Sequence, residues 1–264
     1  MAARKNEDRQ RPKYAAPALE KGLDILEMLA AESAPLSLSQ IGQRLGRSSG
    51  EIFRMLAGLE RRGFLARGPR PEQYMLTNRL FELAHRHPPT KRLLAKALPI
   101  MEELARAVHQ SCHLAVRHET DALIVAQTDC PGFIGFSVRV GAHAPLVESC
   151  SGRVLLAFQP PETRTLWLAR APEKGGASAT PDALDSAMQA IRDAGYNRQP
   201  SLLHQGIVDF GVPILDHEGF AMASLTIPNL AVIGSPVGEA ELVLLLTKAA
   251  RMLIETLGVP ERRG

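Results

Sequence analysis

At 264 residues the chain has room for one or two domains, each large enough to bury its own core. Its composition, 45% hydrophobic and 22% charged, excludes a low-hydrophobicity disordered protein, and no apolar run reaches the roughly 18–20 residues of a membrane-spanning helix. The net charge of +3 hides an asymmetry: residues 1–90 carry 15 Lys/Arg against 10 Asp/Glu, whereas residues 91–264 carry 16 against 18. A basic N-terminal third is the footprint of a nucleic-acid module, or of a basic arm, since Arg4, Lys5, Arg9, Arg11 and Lys13 supply much of the excess.

Residues 1–14 are polar and charged and are predicted to be a disordered basic arm. They hold no apolar segment of a secretory signal, which predicts a cytoplasmic protein. Cys112, Cys130 and Cys150 are odd in number and lack C-x-x-C spacing, which argues against a disulfide framework and for a reducing compartment. A first helix is expected over about Ala18 to Ala31, with Leu19, Leu23, Leu26 and Leu29 as one buried stripe. In LSLSQIGQRLGRSSGEIFRML, residues 36–56, Ser37 with Gln40 and Ser48 with Glu51 form two Ser-x-x-Gln/Glu capping boxes. Ile41 and Leu45 give one short helix its apolar face; Ile52, Leu56 and Leu59 give the next one its own. Gly46 lies between them, where a left-handed residue permits a sharp turn. Gly63 ends the second helix, and short strands are expected at Phe64–Ala66 and Gln73–Leu76 around a Gly-Pro-Arg-Pro turn. Three helices and a hairpin make a winged helix-turn-helix over residues 15–77. A further helical pattern runs from Thr77 to Arg86 and is stopped by Pro88-Pro89, so residues 78–90 read as a linker helix.

From residue 91 onward the pattern is mixed. Helices are expected at Leu98–His109, Gly152–Phe158, Glu162–Ala169, Ala183–Asp193 and Gly238–Leu257. Strands are expected at Cys112–Arg117, Ala122–Gln127, Gly135–Val140, Ile207–Leu215 and Phe220–Ile227, the last two joined by a hairpin at Asp216–Gly219. The fold class is therefore α+β, with an antiparallel sheet and helices outside it rather than a parallel nucleotide-binding sheet.

DNA recognition needs groups that grip phosphate and groups that read base edges. Arg47, Ser48 and Ser49 stand at the tip of the second short helix, where backbone amides and the helix dipole also favour phosphate. Arg54 lies further along and can reach backbone or a guanine edge, while Arg67 and Arg70 flank the wing turn. Glu51 has two readings: acceptor of a cytosine amine, or the acid of its own capping box. Arg61 and Arg62 read as a solvated face that complements the dipole. In the second half, Ser149-Cys150-Ser151-Gly152 precedes the helical RVLLAF run and offers small residues and hydroxyls where helix amides can hold a carboxylate. The same residues also serve as an ordinary N-cap by Ser149 or Ser151, and the two roles are compatible.

The chain resembles the IclR family of bacterial transcriptional regulators over roughly residues 18–258. The resemblance is carried in order by LEKGLDILEMLA, the capped pair with Arg54-Met55-Leu56, Gly63-Phe64-Leu65, HLAV at 113–116, VGAHAPLVESCSGRVLLAF at 140–158 and GIVDFGVPILDHEG at 206–219. It implies a winged DNA-binding domain, a GAF-like effector domain over residues 91–264, and homodimers or tetramers on operator DNA that respond to a small-molecule effector. It implies no cofactor and no metal. It also places the effector beside Ser149, Cys150, Ser151 and Gly152, with Gly141 and Leu146 in the preceding loop. Two features depart from the pattern. Glu51 stands where relatives carry a small hydroxyl residue. Relatives that bind small oxo-acids show an aspartate, a cysteine and two serines along the last strands, and here those positions are Gln199, Asp209, Thr226 and Pro228. An acid at Asp209 repels a carboxylate ligand unless it bonds amides or a ligand hydroxyl. A ligand with a donor group, or an apolar body against Phe136 and Leu146, fits better than an oxo-acid. Phe133, Ile134 and Val138 read as core.

Two rival functions remain. His109, Cys112, His113 and His118 cluster within ten residues, which suggests a metal-responsive regulator through His109, Cys112 and His118. Strand alternation counts against it, because His113 and Arg117 point away from Cys112, Leu114, Val116 and His118. Cys150 at a helix start suggests a thiol enzyme, but no general base, P-loop, G-x-S-x-G or H-E-x-x-H accompanies it.

Overall fold

The computed structural model of the chain describes residues 16–86, 88–170, 181–201, 204–230 and 237–258. The arm expected over residues 1–14 lies outside the described residues. The chain divides into two compact units, Met1–Pro88 and Pro89–Gly264.

In the first unit α1 (Pro17–Ala30) opens with proline in its first turn, where a missing N–H costs nothing. Strand β1 (Leu36–Ser37) leads into α2 (Leu38–Leu45). Ser37 caps α2: its Oγ accepts from Gln40 N at 3.3 Å, and its own N–H donates to Gln40 Oε1 at 2.8 Å. Gly46 adopts φ +62° and turns the chain toward α3 (Ser49–Arg61), capped by Ser48. The turn is tight because Gly42 has no side chain; a Cβ there would stand 2.8 Å from the Arg47 carbonyl oxygen. Strands β2 (Leu65–Arg67) and β3 (Gln73–Leu76) follow, and β1 completes an antiparallel sheet in the order β1-β3-β2. The core is Ile25, Leu26, Leu29, Leu36, Ile41, Ile52, Leu56, Leu65 and Tyr74.

One expectation fails in α1. Leu19 and Leu23 are 63% and 47% exposed, and fully buried Ile25 takes the place given to them. The i, i+3, i+4 spacing is met by two adjacent stripes on this helix, and only the position of α3 and the sheet selects between them. The unit ends with α4 (Arg79–Arg86), started by Thr77, whose Oγ1 accepts from Arg79 N at 3.1 Å.

The second unit is entered through α5 (Pro88–Val108), which starts ten residues earlier than its sequence pattern suggests. Pro88-Pro89 does not merely stop a helix; it starts one, since proline is tolerated in a first turn. A six-stranded antiparallel sheet runs in the order β6-β5-β4-β9-β8-β7. Its strands are β4 (Cys112–His118), β5 (Asp121–Thr128), β6 (His143–Pro145), β7 (Asn197–Pro200), β8 (Ile207–Leu215) and β9 (Ala221–Leu230). One face packs on α5 and α9 (Glu239–Thr256) through Met101, Leu104, Leu114, Phe210, Val212, Leu225, Leu246 and Leu253. The other face carries α6 (Cys150–Ala157), with α7 (Pro161–Leu168) and α8 (Pro181–Ala194) around it. The architecture is α+β, as its sequence pattern implied.

The strand expected at Gly135–Val140 does not form. Pairing with β5 starts only where Gly141 N donates to the Ile124 carbonyl at 2.8 Å and Ile124 N donates to the Ala142 carbonyl at 3.0 Å. Residues 131–140 are a loop, and Phe133 and Ile134, read as core, are 103% and 67% exposed at its tip. Two glycines seat α6 on the sheet. A Cβ at Gly152 would lie 2.4 Å from the Leu146 backbone, and one at Gly211 would lie 3.0 Å from Cys150 Sγ and 3.1 Å from Thr226 Oγ1.

Candidate functional site

The DNA-reading candidates divide into residues that are already engaged and residues that are exposed. Glu51 accepts from Ser48 N at 3.1 Å, Ser48 Oγ at 3.0 Å and Lys21 Nζ at 3.1 Å. The Ser48 amide, then Lys21, holds its carboxyl down at about 2. That geometry matches the capping role. Arg47 donates to Asp24 Oδ2 at 3.0 Å, tying the helix tip to α1. Arg67 grips Glu60 through Nε at 2.6 Å and Nη2 at 3.0 Å, donates Nη1 to the Pro71 carbonyl at 2.9 Å, and lies 4.2 Å over the Tyr74 ring. Its five donors are largely spent on fastening the wing to α3. Ser49, Arg54 and Arg70 are exposed, and among the described residues none of them makes a salt bridge. Phe53, 53% exposed beside Arg54, was not singled out from sequence because its spacing from Ile52 and Leu56 carries no apolar signal of its own. Such a ring is suited to contact a thymine methyl.

In the second unit the start of α6 faces a cavity of about 300 Å³. Its apolar walls are Ile124, Phe136, Val138, Ala142, Ala144 and Pro228; its polar lining is His113, Ser137, Arg139, Ser149, Cys150, Ser151, Ser201, His204, Asp209 and Thr226. Strand pairing decides which groups meet. His113 is the partner of Thr226 across β4 and β9, and Asp209 is the partner of Pro228 across β8 and β9. A hydroxyl chain crosses the floor: His113 Nε2 to Ser151 Oγ at 3.1 Å, Ser151 Oγ to Thr226 Oγ1 at 2.9 Å, and Thr226 Oγ1 to Ser224 Oγ at 3.2 Å. Burial pushes the His113 imidazole down to about 4, and among the described residues its Nδ1 has no hydrogen-bond partner. Ser149 caps α6, accepting from Gly152 N at 3.1 Å and donating to the Pro145 carbonyl at 2.6 Å. Burial raises the Asp209 carboxyl to about 6, against the opposing pull of the Ser201 hydroxyl and His204. The His204 ring meets Phe136 edge-on at 4.7 Å.

Of the nine residues expected at the effector site, Ser149, Cys150, Ser151, Asp209 and Thr226 line this cavity. Gly141, Leu146, Gly152 and Gln199 do not. Gly152 and Leu146 are in backbone contact beneath α6, and Gln199 braces the preceding loop by donating Nε2 to the Glu148 carbonyl at 2.8 Å. Sequence reasoning missed His113, Arg139, Ser201 and His204. Alternation on β4 already set His113 opposite Cys112, but nothing in the sequence says which strand lies beside it.

The rival sites do not assemble. Cys112 donates its thiol to the Met101 carbonyl at 3.4 Å and is pushed up to about 12 by burial, while His118 stands at the far end of β4 beside His143. Among the described residues no three His, Cys, Asp or Glu side chains are placed to share a metal ion. The Cys150 thiol is buried, raised well above its ordinary value by desolvation and then by Asp209, and its bond goes to the Asn197 carbonyl at 3.7 Å. A thiol in that setting is a poor nucleophile.

Comparison with known proteins agrees with this layout. The IclR helix-turn-helix domain model matches residues 18–69, and the model for the bacterial transcriptional regulator IclR C-terminal domain matches residues 89–254. The chain is 26% identical over 256 residues to the HTH-type transcriptional regulator KdgR of Escherichia coli K12, covering 96% of this chain and 97% of KdgR. It is 28% identical over 244 residues to the glycerol operon regulatory protein of Streptomyces coelicolor, covering 91% and 96%. Among solved structures, an IclR homolog from Microbacterium hydrocarbonoxydans complexed with 4-hydroxybenzoate superposes with a TM-score of 0.75 at 28% identity, covering 91% of this chain and 99% of that one. The Thermotoga maritima IclR gives 0.72 at 22% identity, covering 91% and 98%, and shows the shared fold. No described helix is long and apolar enough to cross a membrane. The chain belongs to the IclR family of transcriptional regulators, with a DNA-binding helix-turn-helix ahead of an effector domain, and is not an enzyme.

Proposed function

We propose that this chain is a sequence-specific regulator, working in the cytoplasm, whose operator affinity is set by a small organic acid or aromatic metabolite bound at the start of α6. The observation that carries this reading is the cavity itself: apolar walls, a hydroxyl floor, and a helix N-terminus opening onto one space. The 4-hydroxybenzoate held by the Microbacterium hydrocarbonoxydans homolog is a ligand of the same kind. In this reading residues 15–77 bind DNA, 78–90 link, and 91–264 sense. Ser49, Arg54 and Arg70 make the principal DNA contacts; Ser149, Cys150, Ser151, Asp209 and Thr226 meet the effector. Two copies place two α3 helices on half-sites about one helical turn, or a multiple, apart. The effector shifts DNA affinity only by binding one arrangement of the paired DNA domains better than another.

The test starts from duplexes selected out of random DNA by the purified full-length chain. Anisotropy titrations of a selected duplex, with and without a panel of aliphatic and aromatic acids, should show one acid that changes the apparent Kd. Ser151→Ala should remove that change while leaving ligand-free DNA affinity intact. If no acid moves the affinity, or the response survives Ser151→Ala unchanged, the pocket assignment is wrong.

A further inference from the structure

Two opposite kinds of polar group meet in the cavity, beside the Arg139 guanidinium and the His113 and His204 imidazoles that also line it. At the start of α6 they are first-turn amides with the helix dipole behind them, the Gly152 amide already donating to Ser149 Oγ, and beside them the Ser151 hydroxyl, which can donate or accept. On β8 the group is Asp209, which accepts only, once ionised. Cys150 lies between them; it is the first residue of α6, and its thiol senses the Asp209 charge. Among the described residues Asp209 has no salt bridge to any Lys or Arg, and the groups that favour its ionised form are the Ser201 hydroxyl and His204. The partly desolvated acid thus leaves acceptor capacity facing the cavity.

A ligand bearing only a carboxylate would bring a second anion up to Asp209, and like charges in a poorly solvated space repel strongly. A ligand that also carries a hydroxyl satisfies both ends, its carboxylate toward α6 and its O–H donated to Asp209. An ammonium in the hydroxyl's place would also pair with the acid, but it must first be stripped of water against Ile124, Phe136 and Val138, a cost that a neutral hydroxyl avoids. Those apolar walls fit the flat face of a ring, and a ring holds its two substituents at a fixed separation.

We propose that Asp209 is the specificity-determining residue of this pocket, and that it selects hydroxyl-bearing aromatic carboxylates over carboxylates that lack a donor. The inference rests on the cavity being the effector site.

Calorimetric titration of the full-length chain with benzoate, the three monohydroxybenzoates and 4-methoxybenzoate tests it. At least one hydroxybenzoate should bind about 10- to 100-fold tighter than benzoate, the range of a hydrogen bond to a charged group. The methoxy compound, which accepts but cannot donate, should bind no better than benzoate. Asp209→Leu should bring the best hydroxybenzoate within about 3-fold of benzoate, and the near-isosteric Asp209→Asn should lower the preference several-fold if the leucine variant does not fold. Equal binding of benzoate and every hydroxybenzoate overturns the proposal, as does a preference that persists in both variants. Either result leaves the effector pocket standing if the acids still compete in a Ser151-dependent way. Failure of every acid to bind overturns the pocket and this inference together.

Discussion

A half-buried acid whose Ser201 and His204 neighbours do not offset its desolvation should weaken the protein, and Asp209→Asn exposes how much. Burial moves the carboxyl from its ordinary 3.8 to about 6, so above pH 6 the folded protein holds an ionised group that solvent would accommodate better. At about 1.4 kcal/mol per tenfold change, that difference amounts to at most about 3 kcal/mol. Asp209 is only partly buried, and the solvent that reaches it lowers the expected value to about 1–2 kcal/mol. Because the folded-state value is raised, the acid's contribution is favourable below about 3.8 and is lost as pH rises through about 6. The asparagine variant should therefore match the parent near pH 4 and become more stable by about 1–2 kcal/mol at pH 7.5. That corresponds to roughly 2–8 °C in Tm for a unit of this size. Urea unfolding at pH 4.5, 6 and 7.5 reads the relevant unit directly, because the single tryptophan, Trp167, lies on α7 under the Arg117 guanidinium. His113 titrates in both proteins and cancels in the difference. A stability difference that is flat with pH, or that favours the parent at pH 7.5, would refute the reasoning.

Four further outcomes are expected. His113 is buried neutral with its imidazole lowered to about 4, so its contribution is complete above pH 6.5 and lost as pH falls through 4; its share of the acid sensitivity, on the order of 3 kcal/mol, should disappear from pH-dependent unfolding of His113→Gln. Gly152→Ala sets a Cβ against the Leu146 backbone and should cost about 2 kcal/mol or more while lifting α6 from the sheet; an unchanged Tm with unchanged acid binding would contradict the close approach. Arg54→Ala should weaken binding to a selected duplex and reduce the salt slope by about 1. Arg67→Ala, in contrast, should act mainly by loosening the wing from Glu60 and Tyr74, visible as a lower Tm of the first unit with little change in base preference.

Local chemistry was fully legible where it depends on neighbours a few residues apart. The capping serines Ser37 and Ser48, the turn at Gly46, the hairpin strands and the Ser149 cap follow from spacing alone, because a side chain three residues from an orphan amide reaches it in almost any context. The same locality explains Glu51, whose capping role the sequence already proposed. Nonlocal choices were not legible. Periodicity on α1 allowed two stripes, and only packing against α3 and the sheet chose Ile25 over Leu23. The apolar residues at 133, 134 and 140 read as core or strand, yet β5 takes His143–Pro145 as its edge partner and leaves the loop exposed.

The cavity at the start of α6 shows the same division. The sequence by itself determined a winged helix-turn-helix followed by an α+β domain, and marked Ser149–Ser151 and the unusual acid Asp209 as groups with ligand chemistry. Only the tertiary structure decided that His113 and Thr226 are strand partners, that Arg67 is bound to the wing, and that Gln199 braces a loop instead of facing the cavity. The physical reason is that capping and turning are settled by contacts a few residues apart. A pocket is settled by which strands lie side by side, and that choice is made by burying both faces of the sheet at once.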